Sequence, residues 1–375
     1  MKKDRNEVFQ ESDILNSFLY FSISTKKSSM KTIKIISYLF FLVIYQNSYA
    51  QWLKQNVATD ASFRAVHAIS EKVVWIGGSK GTYIKTLNGG KSWEVKQVPQ
   101  AEKLDFRDVY AFDKKTAILM SAGEAEKGLA KIYRTENGGK TWEVVFQTEE
   151  KGVFFDGIDF WDKQNGIAFS DPINGHFYII KTKDGGKTWS KVNPDNIPAT
   201  QENEAAFAAS GTSLIVSGQS NAYICTGGAE NARIFRSTNQ GENWEVVVTS
   251  MAAGKTNGLF GLRFWDELHG IAVGGDYQDV SKSIPNVLLT NDGGKTWLNA
   301  PETNPVGLKE GVDIYKKEIL IAVGPSGTSY SKDFGKSWQA INTAAFHAIS
   351  IFGNSIWAVG GRGSIAKLEP TFLEK

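Results

Sequence analysis

Residues 182–189 read TKDGGKTW, and this short sequence indicates the fold of the chain. Five variants of it recur: TLNGGKSW at 86–93, TENGGKTW at 135–142, STNQGENW at 237–244, TNDGGKTW at 290–297 and SKDFGKSW at 331–338. Successive tryptophans are separated by 49, 47, 55, 53 and 41 residues. A repeat of roughly 40–50 residues indicates an array of similar structural units, and propeller blades are the leading candidate.

Each copy carries the residues of a tight hairpin turn. The Asn or Asp side chain can accept hydrogen bonds from backbone amides just downstream, and the glycine supplies the positive φ that such a turn demands. The tryptophan begins the next strand and is large enough to wedge between neighbouring sheets. Because one residue repeated six times around a ring cannot form six active sites, we predict a structural role for all of these positions. They are Asn88, Trp93, Asn137, Trp142, Asp184, Trp189, Asn239, Trp244, Asp292, Trp297, Asp333 and Trp338.

The segments between the copies have a regular strand pattern. In the first, four short stretches rich in β-branched and aromatic residues are separated by glycine and polar turns, at 63–69, 73–77, 82–86 and 93–98. The same pattern restarts six times, near Phe106, Phe155, Ala206, Leu262, Val312 and Phe346.

The last restart has only three strands before the chain ends. The missing fourth strand is predicted at 52–57, where Trp52 takes the place of a repeat tryptophan. Its pairing with residues 364–368 would close the ring and remove exposed sheet edges. The prediction is therefore all-β: one domain over residues 51–375, a seven-bladed β-propeller of four-stranded blades closed by the N-terminal strand.

Residues 1–50 are predicted to be an N-terminal extension and secretory signal peptide. Met30 opens a basic start and is the expected true start; an apolar run follows at 35–45, and small residues at 48–50 suggest cleavage after Ala50. The apolar run is shorter than the roughly 20 residues that span a bilayer. A membrane anchor is the competing interpretation. We expect an exported protein, periplasmic or secreted, with no stable membrane insertion once the signal is removed.

Composition excludes several classes of function. The formal net charge of +2 implies neither a nucleic-acid partner nor an anionic membrane. A single cysteine, Cys225, excludes an internal disulfide and a Cys-based metal site. The four histidines are scattered through different blades, and no dinucleotide-binding or haem motif is present. We expect no metal and no cofactor.

The repeated stretch resembles the Asp-box of the BNR repeat, S/T-x-D/N-x-G-x-x-W, found in sialidases and related propellers. With the strands GIAVGG at 270–275, LIAVG at 320–324 and WAVGG at 357–361, the whole chain resembles the photosystem II stability/assembly factor family of exported seven-bladed propellers. That resemblance implies a scaffold that binds or assembles other proteins. It implies a fold more firmly than an activity, because propellers carry unrelated functions.

A site is expected on the face that bears the loops between second and third strands. Those of blades two to five are longer, at 121–131, 170–176, 217–233 and 274–286, and are interpreted as a wall around one side of the ring. Aligned first strands also place one side chain per blade at the channel mouth. In blade order these are Arg64, Arg107, Asp156, Glu204, Phe260, Glu310 and His347.

Two interpretations of that charged ring remain open from the sequence. It could bind a zwitterionic or carboxylated ligand, with arginine giving bidentate contacts, or it could be a salt-bridge ring that plugs the channel. The expected partner is another envelope or secreted protein, or a glycan, and the protein is expected to be a monomer.

A catalytic function is not favoured. A sialidase-like glycosidase would use Arg64, Arg107 and Arg263 to hold a carboxylate, with Asp108 as an acid, but no Tyr–Glu nucleophile can be assigned. An oxidoreductase with a cofactor in the channel is the weakest alternative. The aromatic pairs Phe160-Trp161 and Phe264-Trp265 are interpreted as core.

Overall fold

A computed structural model describes residues 52–282, 284–301 and 305–374. The predicted signal peptide, its start at Met30 and its cleavage after Ala50 lie outside these residues and stay predictions. The described chain forms seven four-stranded antiparallel sheets, as predicted. No helix in the described ranges is long and apolar enough to cross a membrane.

The first strand, β1 (Trp52–Lys54), belongs to the last sheet. Blade one has β2 (Phe63–Ala68), β3 (Val74–Gly78), β4 (Thr82–Thr86) and β5 (Glu94–Gln97). Blade two has β6 (Asp105–Ala111), β7 (Ala117–Ala122), β8 (Lys131–Thr135) and β9 (Glu143–Gln147). Blade three has β10 (Phe155–Phe160), β11 (Gly166–Ile173), β12 (His176–Thr182) and β13 (Ser190–Lys191).

Blade four has β14 (Leu214–Ser217), β15 (Asn221–Cys225), β16 (Asn231–Ser237) and β17 (Glu245–Ala252). Blade five has β18 (Asn257–Phe264), β19 (Gly270–Asp276), β20 (Val287–Thr290) and β21 (Leu298–Asn299). Blade six has β22 (Gly311–Lys316), β23 (Ile319–Gly324), β24 (Gly327–Ser331) and β25 (Gln339–Asn342). Blade seven has β26 (Ala348–Phe352), β27 (Ser355–Val359) and β28 (Ile365–Leu368), with β1 outermost. Three short 3-10 turns lie at Ala125–Lys127, Pro194–Asn196 and Pro370–Phe372.

The ring closes as the sequence predicted. Strand β1 pairs antiparallel with β28, with Trp52 opposite Leu368. The Trp52 ring lies 4.9 Å from that of Phe346, and its Nε1 donates to Thr328 Oγ1 at 3.2 Å. The first strand of each blade contacts the first strands of both neighbours, all the way around from β2 to β26. The channel is therefore lined by seven innermost strands.

The repeated turns form side-chain hydrogen bonds that explain their sequence. In blade three, Thr182 Oγ1 accepts from Gly186 N at 2.9 Å, and Asp184 Oδ1 accepts from Thr188 N at 2.9 Å. The Thr188 hydroxyl donates to Asp184 Oδ2 at 2.6 Å. Burial would raise the pKa of Asp184, but these bonds outweigh it and lower the pKa to about 2. The turn is thus held by groups within one eight-residue stretch.

The tryptophans of these turns pack between blades. Trp142 of blade two meets Trp75 and Tyr83 of blade one edge-on, at 6.2 and 5.2 Å between ring centroids. The Tyr83 hydroxyl also donates to Gly139 O of the blade-two turn at 2.6 Å. Edge-to-face rings of this kind add to the free energy of burial, so the turns join blades as well as strands.

A second set of contacts joins neighbouring blades along the channel. Side chains of the innermost strands accept hydrogen bonds from backbone amides of the next blade. The bonds are Ala111 N to His67 Nδ1 (3.0 Å), Val216 N to Asp159 Oδ2 (2.8 Å), Ile351 N to Asp313 Oδ2 (2.7 Å) and Ala68 N to Ser350 Oγ (3.0 Å). Loss of solvent around the His67 imidazole lowers its pKa to about 4.

Blade four begins later than the sequence suggested. The expected start near Ala206 is wrong: the innermost strand is β14, and residues 192–213 form the connection from blade three. Buried alanines at 206, 208 and 209 imitate the apolar pattern of a strand, although they pack in the channel mouth instead. The loop predicted at 217–233 is likewise wrong, since it contains β15 and leaves only 226–230 between β15 and β16.

The predicted wall of four long loops is therefore only partly present. Long connections occur in blade two at 123–130 and in blade five at 277–286. In blade three the strands themselves extend, and they are joined by the two-residue turn of Asn174 and Gly175. The largest elaboration on this face is the interblade segment 192–213.

Candidate functional site

The mouth of the channel holds a cavity of about 480 Å³. It lies at the starts of the innermost strands, on the face of the interblade connections and of the turns between second and third strands. Six of the seven side chains predicted for the mouth line it. They are Arg64, Arg107, Asp156, Phe260, Glu310 and His347.

Strand register explains why these six converge. In each blade, one residue of the innermost strand pairs with the centre of the second strand, and the mouth residue lies two positions before it. In blade one, for example, Val66 pairs with Ile76, and Arg64 lies two positions before Val66. The same offset in blade four leads from Leu214, paired with Ile224, back to Thr212. Thr212, not Glu204, is therefore the blade-four member of the ring.

Glu204 is a correction to the predicted site. Its side chain is fully buried, and it accepts two hydrogen bonds from the guanidinium of Arg233 and one from Thr226 Oγ1 at 2.7 Å. Arg233 Nη2 also donates to Ala199 O at 3.0 Å. This buried pair ties the 192–213 connection to blade four, so Glu204 has a structural contact and does not line the cavity.

The floor of the cavity is main chain from the same connection. The carbonyl of Ala208 accepts from Arg107 Nη1 at 3.3 Å, and that of Ala209 accepts from Arg64 Nη1 at 3.5 Å. Ser210 Oγ donates to Glu310 O at 2.7 Å. A Cβ added to Gly211, whose φ is +74°, would lie 2.5 Å from Asp108 Oδ1, so only glycine fits there. The channel is closed by residues 206–211, which the sequence did not predict.

One side of the cavity is a charge cluster from blades six, seven and one. Glu310 Oε2 lies 2.5 Å from His347 Nδ1 and 3.8 Å from Arg64 Nη1. Burial lowers the pKa of Arg64 despite the opposing attraction of Glu310. The carboxylate of Glu310 therefore forms an ion pair with Arg64 and a hydrogen-bond contact with His347.

Both arginines keep hydrogen-bonding capacity for a ligand. Arg107 Nε donates to Asp105 Oδ2 at 2.8 Å, which fixes the plane of its guanidinium. Among the described residues, Nη2 of Arg107 and Nη2 of Arg64 have no acceptor. Their side chains are 29% and 25% exposed. Two partly exposed guanidinium groups with free donors can receive a carboxylate.

Two carboxyl groups lie on the blade-three side. Asp156 Oδ2 is buried with no hydrogen-bond partner among the described residues. Burial and then repulsion by Asp171 raise the pKa of Asp156 well above its usual value, although Arg107 opposes this. Burial raises the pKa of Asp171 to about 6, although the hydrogen bond that Asp171 accepts from Ala206 N at 3.1 Å acts to lower it. The charge of the cavity therefore depends on pH near neutrality.

The remaining wall is aromatic and comes from blade five and the floor segment. Phe207 stacks on Phe260 with 4.1 Å between centroids and 8° between planes, and Tyr277 meets Phe207 edge-on at 5.9 Å. The sequence pattern predicts Phe260 here but not Asp171, Phe207 or Tyr277. The Asp171-Pro172 pair, which interrupts an otherwise apolar strand, is the one local signal of an unusual position.

Of the residues considered for a sialidase-like site, Arg64 and Arg107 line the cavity, whereas Arg263 and Asp108 do not. Arg263 does not line the cavity: its Nε lies 3.3 Å from Asp313 Oδ1, further along the channel. Asp108 accepts from Val109 N and Ile158 N, each at 2.8 Å, and is buried below the floor segment. Within the described ranges, no cluster of three or more His, Cys, Asp or Glu side chains could hold a metal ion.

No protein-family model and no curated protein matches this chain. Solved structures do match its fold. The structure of "YCF48 bound to D1 peptide" aligns with a TM-score of 0.63 and 16% identity, over 86% of this chain and 96% of that one. YCF48 from Cyanidioschyzon merolae aligns with a TM-score of 0.60 and 14% identity, over 86% of this chain and 100% of that one. At these identities the likeness establishes a shared fold, and the fold implied by the sequence resemblance is confirmed.

Proposed function

We propose that this protein is an exported, non-catalytic propeller that binds a segment of another protein at the channel mouth and acts as a binding or assembly factor. The observation that carries the proposal is the pair Arg64 and Arg107. Their guanidinium groups face a cavity closed by main chain, and each keeps a free donor among the described residues.

The chemistry of the cavity suits a carboxylated segment of a protein. The two guanidinium groups can hold a carboxylate, and the Phe207–Phe260 stack offers an apolar wall to a side chain. A cavity of about 480 Å³ accommodates one or two residues of a partner. The fold likeness to a YCF48 structure with a bound D1 peptide supports a protein segment as the occupant.

Export is the second part of the proposal. It rests on the basic start, apolar run and small-residue site of residues 30–50. An exported propeller would meet its partner in the envelope or outside the cell, and the small net charge is consistent with a protein partner.

Capture from an envelope extract of the source cells tests the binding function. The purified protein should retain a specific protein, identified by mass spectrometry, and the Arg64→Ala/Arg107→Ala double variant should lose it. Lys80→Ala is the matched control, because Lys80 is a cation near the same face that is engaged by Asp60 at 2.7 Å and does not line the cavity. Equal capture by the double variant would contradict the proposal. Turnover of a glycan panel that is lost in the double variant would instead identify a hydrolase.

A further inference from the structure

A second cleft lies between blades five and six, on the face that carries the repeated turns. It has a volume of about 560 Å³ and lies at the opposite end of the strands from the channel mouth. Trp265 and His269 enter it from the turn between β18 and β19, and Phe334 enters from the repeated turn of blade six. Aliphatic surface comes from Leu289, Leu298 and Pro301.

The residue Phe334 departs from the repeat. At this position the other five copies have Gly89, Gly138, Gly185, Gln240 and Gly293. Phe334 has a φ of +62°, a left-handed conformation that is costly for a bulky side chain. The turn itself needs only glycine there, as most of its other copies show. The aromatic side chain is therefore explained by what it contacts and not by the turn.

The contact is with Trp265, which is half-buried: it packs against the core between blades five and six, in keeping with the predicted core position, and it also lines the cleft. The rings of Phe334 and Trp265 lie 5.8 Å apart, and Trp265 stacks on His269 at 6.0 Å with 13° between planes. The corresponding Trp161 of blade three donates its Nε1 to Asn221 O at 2.8 Å. Among the described residues, Trp265 Nε1 has no such acceptor. The result is a half-buried aromatic surface with a free N–H donor.

The charged side chains that line the cleft are basic, and the carboxylate of Asp266 lies beside two of the lining residues, Lys317 and His269. The described lining includes Lys317 and Lys336 and no Asp or Glu. Lys317 lies 3.6 Å from Asp266 Oδ2, whereas Lys336 has no ion pair among the described residues. An apolar aromatic cleft of this size, with a few convergent polar donors, has the character of a small-molecule site. Since His269 Nδ1 also lies 2.8 Å from Asp266 Oδ1, the cation of the lining that has no ion pair among the described residues is Lys336, and it is complementary to an anion.

We propose that this cleft binds a small planar aromatic acid, with its ring against Trp265 and Phe334 and its carboxylate toward Lys336. The proposal does not depend on the function of the channel mouth, because the two cavities share no lining residue.

Titration of the purified protein with indole-3-acetate, 2-naphthoate and 4-hydroxyphenylacetate tests it, followed by ligand-observed NMR and calorimetry. At least one of these probes should bind saturably, with a Kd below about 1 mM, and cyclohexylacetate and indole should bind at least about tenfold more weakly. Failure of all three aromatic acids, or equal binding of cyclohexylacetate, would overturn the proposal. Tighter binding of a short peptide ending in Trp than of any free acid would assign the cleft to a protein partner and also overturn it.

Two variants separate binding from folding. Phe334→Gly restores the residue found in most copies of the turn, so its Tm should be unchanged or higher while affinity falls about tenfold or more. Lys336→Gln should weaken the aromatic acids several-fold, and Lys295→Gln, at the same position of the blade-five turn but outside the cleft lining, should not. Unchanged affinity in Phe334→Gly, or equal effects of the two lysine variants, would refute the assignment.

Discussion

Arg64 and Arg107 stand at the same register position of adjacent innermost strands, and their Nη1 atoms donate to consecutive carbonyls, those of Ala209 and Ala208. The groups that would receive a ligand therefore also hold the floor beneath it. Since both bonds are long, at 3.5 and 3.3 Å, we expect the floor to depend on them weakly.

Replacing Arg64 or Arg107 by Ala should weaken binding of the captured partner segment by roughly 1–3 kcal/mol for each charge-assisted hydrogen bond that is removed. The free energy of unfolding should fall by less, about 1 kcal/mol or below, because the bonds to the floor are long and both arginines are partly exposed, which weakens their ion pairs with Glu310 and Asp105. Calorimetric titration and urea unfolding measure the two effects, with Lys80→Ala as the control. A loss of stability as large as the loss of affinity would mean that the arginines are structural.

Binding at the mouth should depend on pH. Because burial raises the pKa of Asp171 to about 6, this carboxyl becomes protonated as pH falls through that value, beside Asp156, whose pKa is also raised by burial. The positive field of the arginines is then less compensated, so a carboxylated segment should bind more tightly at pH 5.5 than at pH 7.5. Asp171→Asn should flatten this dependence, and a profile as steep as that of the unmodified protein would count against the assignment.

Closure of the ring should be a major source of stability. Replacing Trp52 by Ala removes a buried side chain that contacts Phe346 and Thr328, and should cost about 3–5 kcal/mol. Deleting residues 51–60 should cost several kcal/mol as well, since it strips one strand from blade seven. Thermal and urea unfolding measure both changes. Leu53→Ala, at a side chain that is 47% exposed, is the control; a melting temperature unaffected by the deletion would disprove the closure.

The repeated turns should act on stability and not on affinity. Asp184→Ala removes acceptors for Thr188 N, Thr188 Oγ1 and Lys187 N, and should cost about 1–3 kcal/mol. Because the pKa of folded Asp184 is lowered to about 2, its contribution is present above its ordinary value of 3.8 and lost as pH falls from there toward 2. Urea unfolding at pH 6 and pH 2.5 should show a smaller difference between variant and unmodified protein at the lower pH. Partner affinity of the folded fraction should not change.

Export has a direct chemical test. Expressed with its own N-terminus, the chain should be cut between Ala50 and Gln51 and recovered outside the cytoplasm. N-terminal sequencing of the recovered protein decides this. Retention of residues 35–45 in a membrane fraction would show an anchor instead.

The number of blades, the repeated turns and the closure of the ring could all be predicted from the sequence. These features are local. Thr182, Asp184 and Thr188 form hydrogen bonds with one another within a single turn, so their spacing in the sequence is sufficient to predict these contacts. The positions of six mouth residues could be predicted for the same reason. Each lies two residues before a paired residue of the innermost strand, so its position follows wherever the sequence pattern places that strand correctly.

The blade-four part of the site could not be predicted without the arrangement of the folded blades. Residues 192–213 contain apolar stretches that resemble a strand, and what distinguishes them is contact with distant residues: Ala209 with Arg64, 145 positions away, and Ser210 with Glu310, 100 positions away. The same holds for Trp161 and Trp265, which are alike in sequence but differ in whether a neighbouring blade offers the indole N–H an acceptor among the described residues. Local hydrogen-bonding chemistry is encoded in short spacings, whereas the choice of a partner across the ring depends on how the blades are arranged around the channel.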